Sequence, residues 1–165
     1  MIRTLILMRH AKSSWDNPAL PDHDRPLNAR GTASAKMMGD WLRANGHAPN
    51  AAVSSSSERT GQTFLGLGFD IPVAFTRALY HAGPEMMMEV LQGQTAQTVL
   101  MLGHNPGIAD FADRLVRQPP PHPRFADYPT CATTVIRFNV GSWTDIGWRE
   151  GQPIDFAIPR EVTEE

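Results

Sequence analysis

The chain has 165 residues, of which 41% are hydrophobic, and a formal net charge of −2. This length is ordinary for one domain, so we expect a single domain over residues 1–165 with a continuous core. The small net charge, without any stretch rich in Lys or Arg, argues against nucleic acid or a membrane surface as a partner. Cys131 is the only cysteine, which excludes an internal disulfide and predicts a small buried thiol.

The first predicted element is a buried strand over residues 5–8, which runs directly into Arg9 and His10. This apolar run is too short for a signal peptide or a membrane span, so we expect a cytoplasmic protein. In an α/β sheet, the carboxyl ends of the strands carry the chemistry. Arg9 and His10 therefore predict a fixed cation beside a group that can be a nucleophile, a base or a ligand.

A helix is predicted over residues 27–44, with Asn28 as its cap. The short apolar run 51–54 predicts a second strand, and a cluster of serines follows it. A helix over residues 58–67 comes next and carries Arg59 in its first turn, where backbone amides can add to an anion site.

Residues 72–76 predict a third strand, and residues 85–91 predict a helix with a methionine-rich face. The buried-strand pattern 98–102 is followed at once by Gly103 and His104. Proline then starts a helix over residues 106–116.

The proline-rich segment 118–124 cannot form regular structure, and we expect a stiff connector rather than a ligand for another module. Residues 132–138 and 154–158 are the last predicted strands, and residues 162–165 are expected to form a free tail. The alternation of strands and helices predicts an α/β fold.

Three predicted strand ends thus offer a shared set of side chains: Arg9 with His10, Arg59, and His104. Guanidinium groups bind phosphoryl oxygens through two parallel hydrogen bonds and keep their charge. One imidazole can attack phosphorus while another donates to its oxygens. Together, these two arginines and two histidines predict a phosphate-binding site.

These motifs resemble the histidine phosphatase superfamily, which includes the phosphoglycerate mutases, and they match best its short SixA-type phosphohistidine phosphatase branch. Two departures stand out: Ala11 replaces a glycine of the wider superfamily, and Ser56-Ser57 replaces a Pro-Ala pair. The matching motifs are Arg9-His10 with residues 11–15, residues 22–28 with Gly31, Ser54-Ser55 with Arg59 and Gln62-Thr63, Leu79-Tyr80, residues 103–107, and Pro129-Thr130.

The resemblance implies a three-layer α/β/α sandwich with a mostly parallel central sheet, like that of phosphoglycerate mutase. It implies that His10 becomes a covalent phosphohistidine, which water then hydrolyses. Arg9 and Arg59 would bind the phosphoryl group and stabilise its charge, and His104 would donate to it. No cofactor and no metal are expected.

The acid that protonates the leaving group is harder to assign. The mutase-like branches use a carboxylate after the third strand, and the corresponding region here contains His81 and Glu85. An acidic residue at a helix start is more often a partner of the helix dipole than a catalyst. Asp22 and Asp24 are further candidates, and Ser13 is a candidate contact to the substrate.

A weak acid favours a substrate whose leaving group departs readily, such as the imidazole of a phosphohistidine. The chain also has only residues 16–25 and the proline segment to form an insertion over a small substrate. We therefore expect dephosphorylation of a phosphohistidine on a protein. A small phosphomonoester as substrate is the alternative, a mutase is less favoured, and a non-catalytic phosphate-binding module stays open.

Overall fold

The computed structural model describes residues 1–163, and these contain one sheet of six strands in the order β3-β2-β4-β1-β5-β6. The strands are β1 (Arg3–Arg9), β2 (Ala51–Ser55), β3 (Val73–Thr76), β4 (Thr98–Gly103), β5 (Thr133–Phe138) and β6 (Gln152–Ala157). The helices are α1 (Ala29–Ala44), α2 (Glu58–Leu67), α3 (Pro84–Gln92), α4 (Gly107–Leu115) and α5 (Pro159–Thr163).

The first four strands pair in parallel, and β5 runs antiparallel to both of its neighbours. Strand β1 lies near the centre of the sheet and is buried on both faces. Its Leu5 and Leu7 pack in the core beneath α3 and α4, whereas Ile6 and Met8 pack beneath α1 and α2. The predicted three-layer α/β/α sandwich with a mostly parallel sheet is confirmed.

Polar caps set the starts of the two helices that lie beside the strand ends. Asn28 caps α1 by accepting a hydrogen bond from the Gly31 amide at 2.8 Å, so this helix begins two residues later than predicted. Ser57 caps α2, whose bounds agree with the prediction. None of the helices in the described part of the chain has the length and apolar character needed to span a bilayer.

The prediction of a free tail from Val162 is wrong. Pro159 begins α5, as its fixed φ allows, and Val162 packs against the core on the α1 side of the sheet. Residues 164 and 165 lie outside the described residues. Residues 118–124 form neither helix nor strand, as expected.

Two close backbone contacts position the loop that follows β1. A Cβ added to Gly31 would lie 2.1 Å from the Lys12 carbonyl oxygen, so only glycine lets α1 approach this loop. On the other side, the amide of Cys131 donates to the His10 carbonyl at 3.0 Å. The Cys131 thiol is fully buried, and this burial raises its pKa to about 12.

We expect Gly31→Ala to lower the free energy of unfolding by about 1 to 3 kcal/mol, because the new methyl group must push the loop after β1 aside. Gly61→Ala is the matched control within a helix, since its Cβ would meet only the Phe75 ring, at 3.7 Å. The control should gain about 0.5 to 1 kcal/mol. Urea unfolding of both variants tests this, and equal effects would contradict it.

Candidate active site

The carboxyl ends of β1, β2 and β4 lie side by side at one edge of the sheet. Arg9 ends β1, and His10 follows it; Gly103 ends β4, and His104 follows it. Arg9, His10 and His104 line a pocket of about 340 Å³ together with residues from the surrounding loops. Its lining is Arg9, His10, Lys12, Ser13, Trp15, Asp22, Arg25, Arg59, His81, His104, Asn105 and Thr130.

The tautomer of His10 follows from its one polar contact. Its Nδ1 lies 2.7 Å from the carbonyl oxygen of Ala11, which can only accept, so Nδ1 carries the ring proton. The Nε2 atom of the neutral ring then keeps its lone pair. The His10 amide also donates to the Gly103 carbonyl at 3.1 Å, which fixes the backbone between β1 and β4.

The surroundings of His10 oppose its protonation. The side chain is buried, and this burial, together with the charges of Arg9, Arg59 and Arg25, lowers its pKa to about 3. His10 is therefore neutral at physiological pH. A neutral imidazole with a free Nε2 lone pair is the nucleophilic form of the side chain.

His104 has the opposite tautomer. Its Nδ1 lies 3.3 Å from Nη2 of Arg59, which can only donate, so Nε2 carries the proton and donates to the Ser55 hydroxyl at 2.8 Å. The rings of His104 and His10 are 5.2 Å apart. Burial, the adjacent His10 and Arg59 lower the pKa of His104 to about 2. To donate from Nδ1 to a phosphoryl oxygen, this ring must gain a second proton, which a bound dianion favours.

Arg9 and Arg59 supply fixed positive charge on two sides of His10. Burial and the charge of Arg59 lower the pKa of Arg9, yet an arginine keeps its proton at physiological pH. In the described chain, the Nε atoms of both arginines are buried and have no hydrogen-bond partner. Both guanidinium groups line the pocket, so their positive charge is available to a bound anion.

Asp22 is the anion at the centre of the network. Its Oδ1 accepts from Arg25 at 3.1 Å, and its Oδ2 accepts from Arg59 at 3.1 Å, Tyr80 at 2.5 Å and His81 at 3.1 Å. Partial burial raises its pKa, but the hydrogen bonds from Tyr80, Arg59 and Arg25 outweigh this and hold the pKa well below its usual range. Asp22 is therefore ionised and is a poor proton donor.

Ser13 lies in the pocket as a buried hydroxyl. Its Oγ accepts from Nη1 of Arg25 at 2.9 Å, which leaves the Ser13 O–H free to donate to a substrate. Arg25 is itself buried, and its guanidinium stacks over the Trp15 ring at 3.6 Å. Arg25 is a further residue of the site; it lies within the matching motif 22–28, but no pattern in the sequence distinguishes it from the rest of that motif.

The structure brings His81, but not Glu85, to the pocket. His81 has a left-handed φ of 55° and its ring lies 5.4 Å from that of His104. The Glu85 side chain is 74% exposed and pairs with Arg114 at 2.9 Å, because the first turn of α3 faces α4. Asp24 is also exposed and contacts His23.

Within residues 1–163, no group of three or more His, Cys, Asp or Glu side chains has a geometry that could hold a metal ion.

Comparisons with known proteins agree with this geometry. The sequence model of the histidine phosphatase superfamily (branch 1) matches residues 5–95. The uncharacterized protein Rv1276c of Mycobacterium tuberculosis is 34% identical over 160 residues, which cover 93% of this chain and 100% of the relative.

Solved structures of SixA proteins are also similar. A SixA structure from Nakamurella multipartitia has a TM-score of 0.83 and 29% identity, covering 96% of this chain and 97% of that one. A SixA structure from Agrobacterium tumefaciens has a TM-score of 0.76 and 26% identity, covering 95% of this chain and 98% of that one. A SixA structure in complex with tungstate shares the fold, with a TM-score of 0.78 and 20% identity, covering 96% of this chain and 99% of that one.

We expect the His10 ring to stay neutral as the pH falls well below 6, because its pKa in the folded protein is about 3 and a free imidazole titrates near about 6.5. The unfolded chain then binds more protons in that window, so the contribution of neutral His10 to stability is full above the free pKa and lost as the pH falls toward the folded pKa. Nitrogen NMR of the ring, assigned with His10→Asn, measures this. Titration near the free value would contradict the buried, cation-surrounded geometry.

We expect Asp22→Asn to bind inorganic phosphate about tenfold more tightly, since it removes an anion that competes for the same Nη group of Arg59. Asp24→Asn is the control, because its carboxylate is exposed and contacts only His23 among the described residues. Calorimetry at constant ionic strength compares the two. Weaker phosphate binding in Asp22→Asn would show instead that Asp22 is needed to hold Arg59 in place.

Proposed function

This chain belongs to branch 1 of the histidine phosphatase superfamily and is of the SixA type, and we propose that it hydrolyses a phosphohistidine on a protein through a phosphoryl intermediate on His10. The observation that carries the proposal is the hydrogen bond from Nδ1 of His10 to the Ala11 carbonyl at 2.7 Å. That bond leaves the Nε2 lone pair free to attack phosphorus.

In the first step, Nε2 of His10 forms a bond to phosphorus while the bond to the substrate imidazole breaks. The electron pair of that bond stays on the departing ring, which leaves as neutral imidazole when its second nitrogen carries a proton. The guanidinium groups of Arg9 and Arg59 donate to the phosphoryl oxygens, and protonated His104 donates from Nδ1. One such preorganised donor is worth about 2.7 to 4 kcal/mol in a transition state.

In the second step, water attacks the phosphoryl group on His10. The P–N bond breaks, its electron pair returns to Nε2, and the product leaves as dihydrogen phosphate, which keeps both protons of the water. His10 regains the neutral tautomer that Ala11 holds. The same donors stabilise the charge on the oxygens in both steps.

The polar groups around the pocket favour a phosphohistidine over an alkyl ester. An alkoxide needs an acid in order to leave, but Asp22 is ionised and Glu85 lies outside the pocket. His81 donates its Nε2 proton to Asp22, so it holds a transferable proton only as an imidazolium. Transfer from one imidazole to another exchanges one P–N bond for another, and it therefore makes the smallest demand on an acid.

The open rim of the pocket suits a protein substrate. Trp15 is 70% exposed there, and the loop between β1 and α1 contains only a three-residue helical turn, Asp22–Asp24. A side chain that projects from another protein can reach His10 without a lid having to open. The open rim, together with the lack of a strong acid, favours a phosphohistidine on a protein over a small phosphomonoester.

We expect rapid quench of the enzyme with an aryl phosphate to trap an acid-labile, base-stable phosphoryl group on His10. His10→Ala should lose both the trapped group and turnover while keeping its far-ultraviolet circular dichroism, because the side chain acts as nucleophile rather than as packing. Turnover of a phosphohistidine protein should exceed that of an aryl phosphate, and alkyl phosphates should be slowest. Glu85→Gln is the matched control and should change none of these rates.

Other outcomes would assign another function. Similar rates on alkyl and aryl phosphates, with a large defect in Glu85→Gln, would favour a small-ester phosphatase with an acid. Stoichiometric phosphate binding without turnover of any substrate would favour a binding module. Transfer of the phosphoryl group to a second substrate hydroxyl, rather than to water, would favour a mutase.

A further inference from the structure

A second cavity of about 450 Å³ opens beside the catalytic pocket, and we name it the basic groove. Its charged lining is Lys12, Arg30, Arg124 and Arg160. Among the described residues, none that lines the groove is acidic, although the chain as a whole has a net charge of −2. The basic groove is therefore a local positive field on a weakly acidic protein.

At least two of these cations are not neutralised by a nearby carboxylate. Lys12 and Arg30 are exposed, and neither forms an ion pair with any residue in 1–163. Arg124 does pair with Asp127, at 2.9 Å, which offsets part of its charge. Exposed, unpaired cations attract anions over about a Debye length, so the groove favours a negatively charged ligand.

The basic groove adjoins the catalytic pocket, because Lys12 and Thr130 line both cavities. Lys12 comes two residues after His10 in the chain. A protein whose phosphohistidine lies against His10 therefore places the residues that flank it close to the groove. Met37 and Ile158 give the groove apolar walls in addition to its charge.

The arrangement of the cations favours a peptide surface over a second phosphate. They come from four separate segments: the loop after β1, helix α1, the loop before β5, and helix α5. A compact phosphate is best held by forks that converge on its oxygens. Exposed cations spread along a groove with apolar walls suit several carboxylates and the aliphatic stems between them.

We propose that the basic groove binds an acidic segment that flanks the phosphohistidine on the protein substrate. The inference rests on the proposed function and adds to it the chemistry of the partner. Charges at the rim of an interface act mainly on association and are screened by salt. The groove should therefore change KM rather than kcat, and only for substrates with an acidic flank.

The test uses two phosphohistidine peptides that differ only in having Asp and Glu, or Asn and Gln, beside the phosphohistidine. Stable triazole phosphonate versions of both peptides serve as inhibitors of p-nitrophenyl phosphate hydrolysis. The groove variant is Arg30→Gln with Arg160→Gln. The control variant is Lys36→Gln with Arg137→Gln, which removes the same charge from exposed positions that do not line the groove.

We expect the acidic phosphonate to inhibit the wild-type protein about tenfold more strongly than the neutral one at low salt, and the difference to shrink at high salt. The groove variant should lose this preference, and its KM for the acidic peptide should rise about tenfold, while its kcat and its hydrolysis of p-nitrophenyl phosphate stay unchanged. The control variant should keep the preference.

Equal inhibition by the two phosphonates, or an equal loss in the control variant, would overturn the inference. So would pyrophosphate that inhibits more strongly than phosphate in the wild type but not in the groove variant, because the groove would then hold a second phosphate. If p-nitrophenyl phosphate is cleaved but neither phosphohistidine peptide is, the proposed function fails. The phosphonate inhibition still decides the role of the groove in that case.

Discussion

The site depends on one electrostatic constraint: an uncharged imidazole must be held among guanidinium groups. Burial, and then the charges of Arg9, Arg59 and Arg25, disfavour a second proton on His10, and the Ala11 carbonyl decides which nitrogen carries the single remaining proton. The same positive charge that helps to keep His10 neutral would also attract a phosphoryl group. The neutral state of His10 and the affinity for substrate therefore depend partly on the same charges. The parallel strand ends of β1, β2 and β4 bring these groups to one place.

This concentration of positive charge needs a counterion when no phosphoryl group is present, and Asp22 provides it. Its carboxylate accepts from two arginines, Tyr80 and His81, which lie on segments far apart in the chain. The loop before α1 and the loop before α3 are thereby linked beside the pocket by one anion. The carboxylate of Asp22 therefore already places a negative charge against the arginines that an incoming phosphoryl group would contact.

The parts of the molecule that the sequence predicts are those governed by strand periodicity and order. Arg9 with His10, Arg59 and His104 each follow a buried strand, and parallel strands place their ends at the same edge, so their meeting could be foreseen. The contact between Asp22 and Tyr80 spans 58 residues and two irregular loops, where no period indicates which side chains meet. Glu85 shows the same limit: the sequence places it at a helix start, but only the packing of α3 on α4 turns it toward Arg114.

The buried position of Cys131 has a consequence for how this enzyme responds to oxidants. The Cys131 side chain is fully buried beside the loop after β1, and this burial raises the pKa of its thiol to about 12. Almost none of the thiol is therefore thiolate at neutral pH. Peroxide oxidises cysteine thiolates. A histidine nucleophile contains no sulfur and therefore does not undergo this reaction. Phosphatases whose nucleophile is a cysteine are inactivated by such oxidation. If His10 is the nucleophile, as proposed, we expect this protein to continue removing phosphate under oxidative conditions that stop cysteine-based phosphatases.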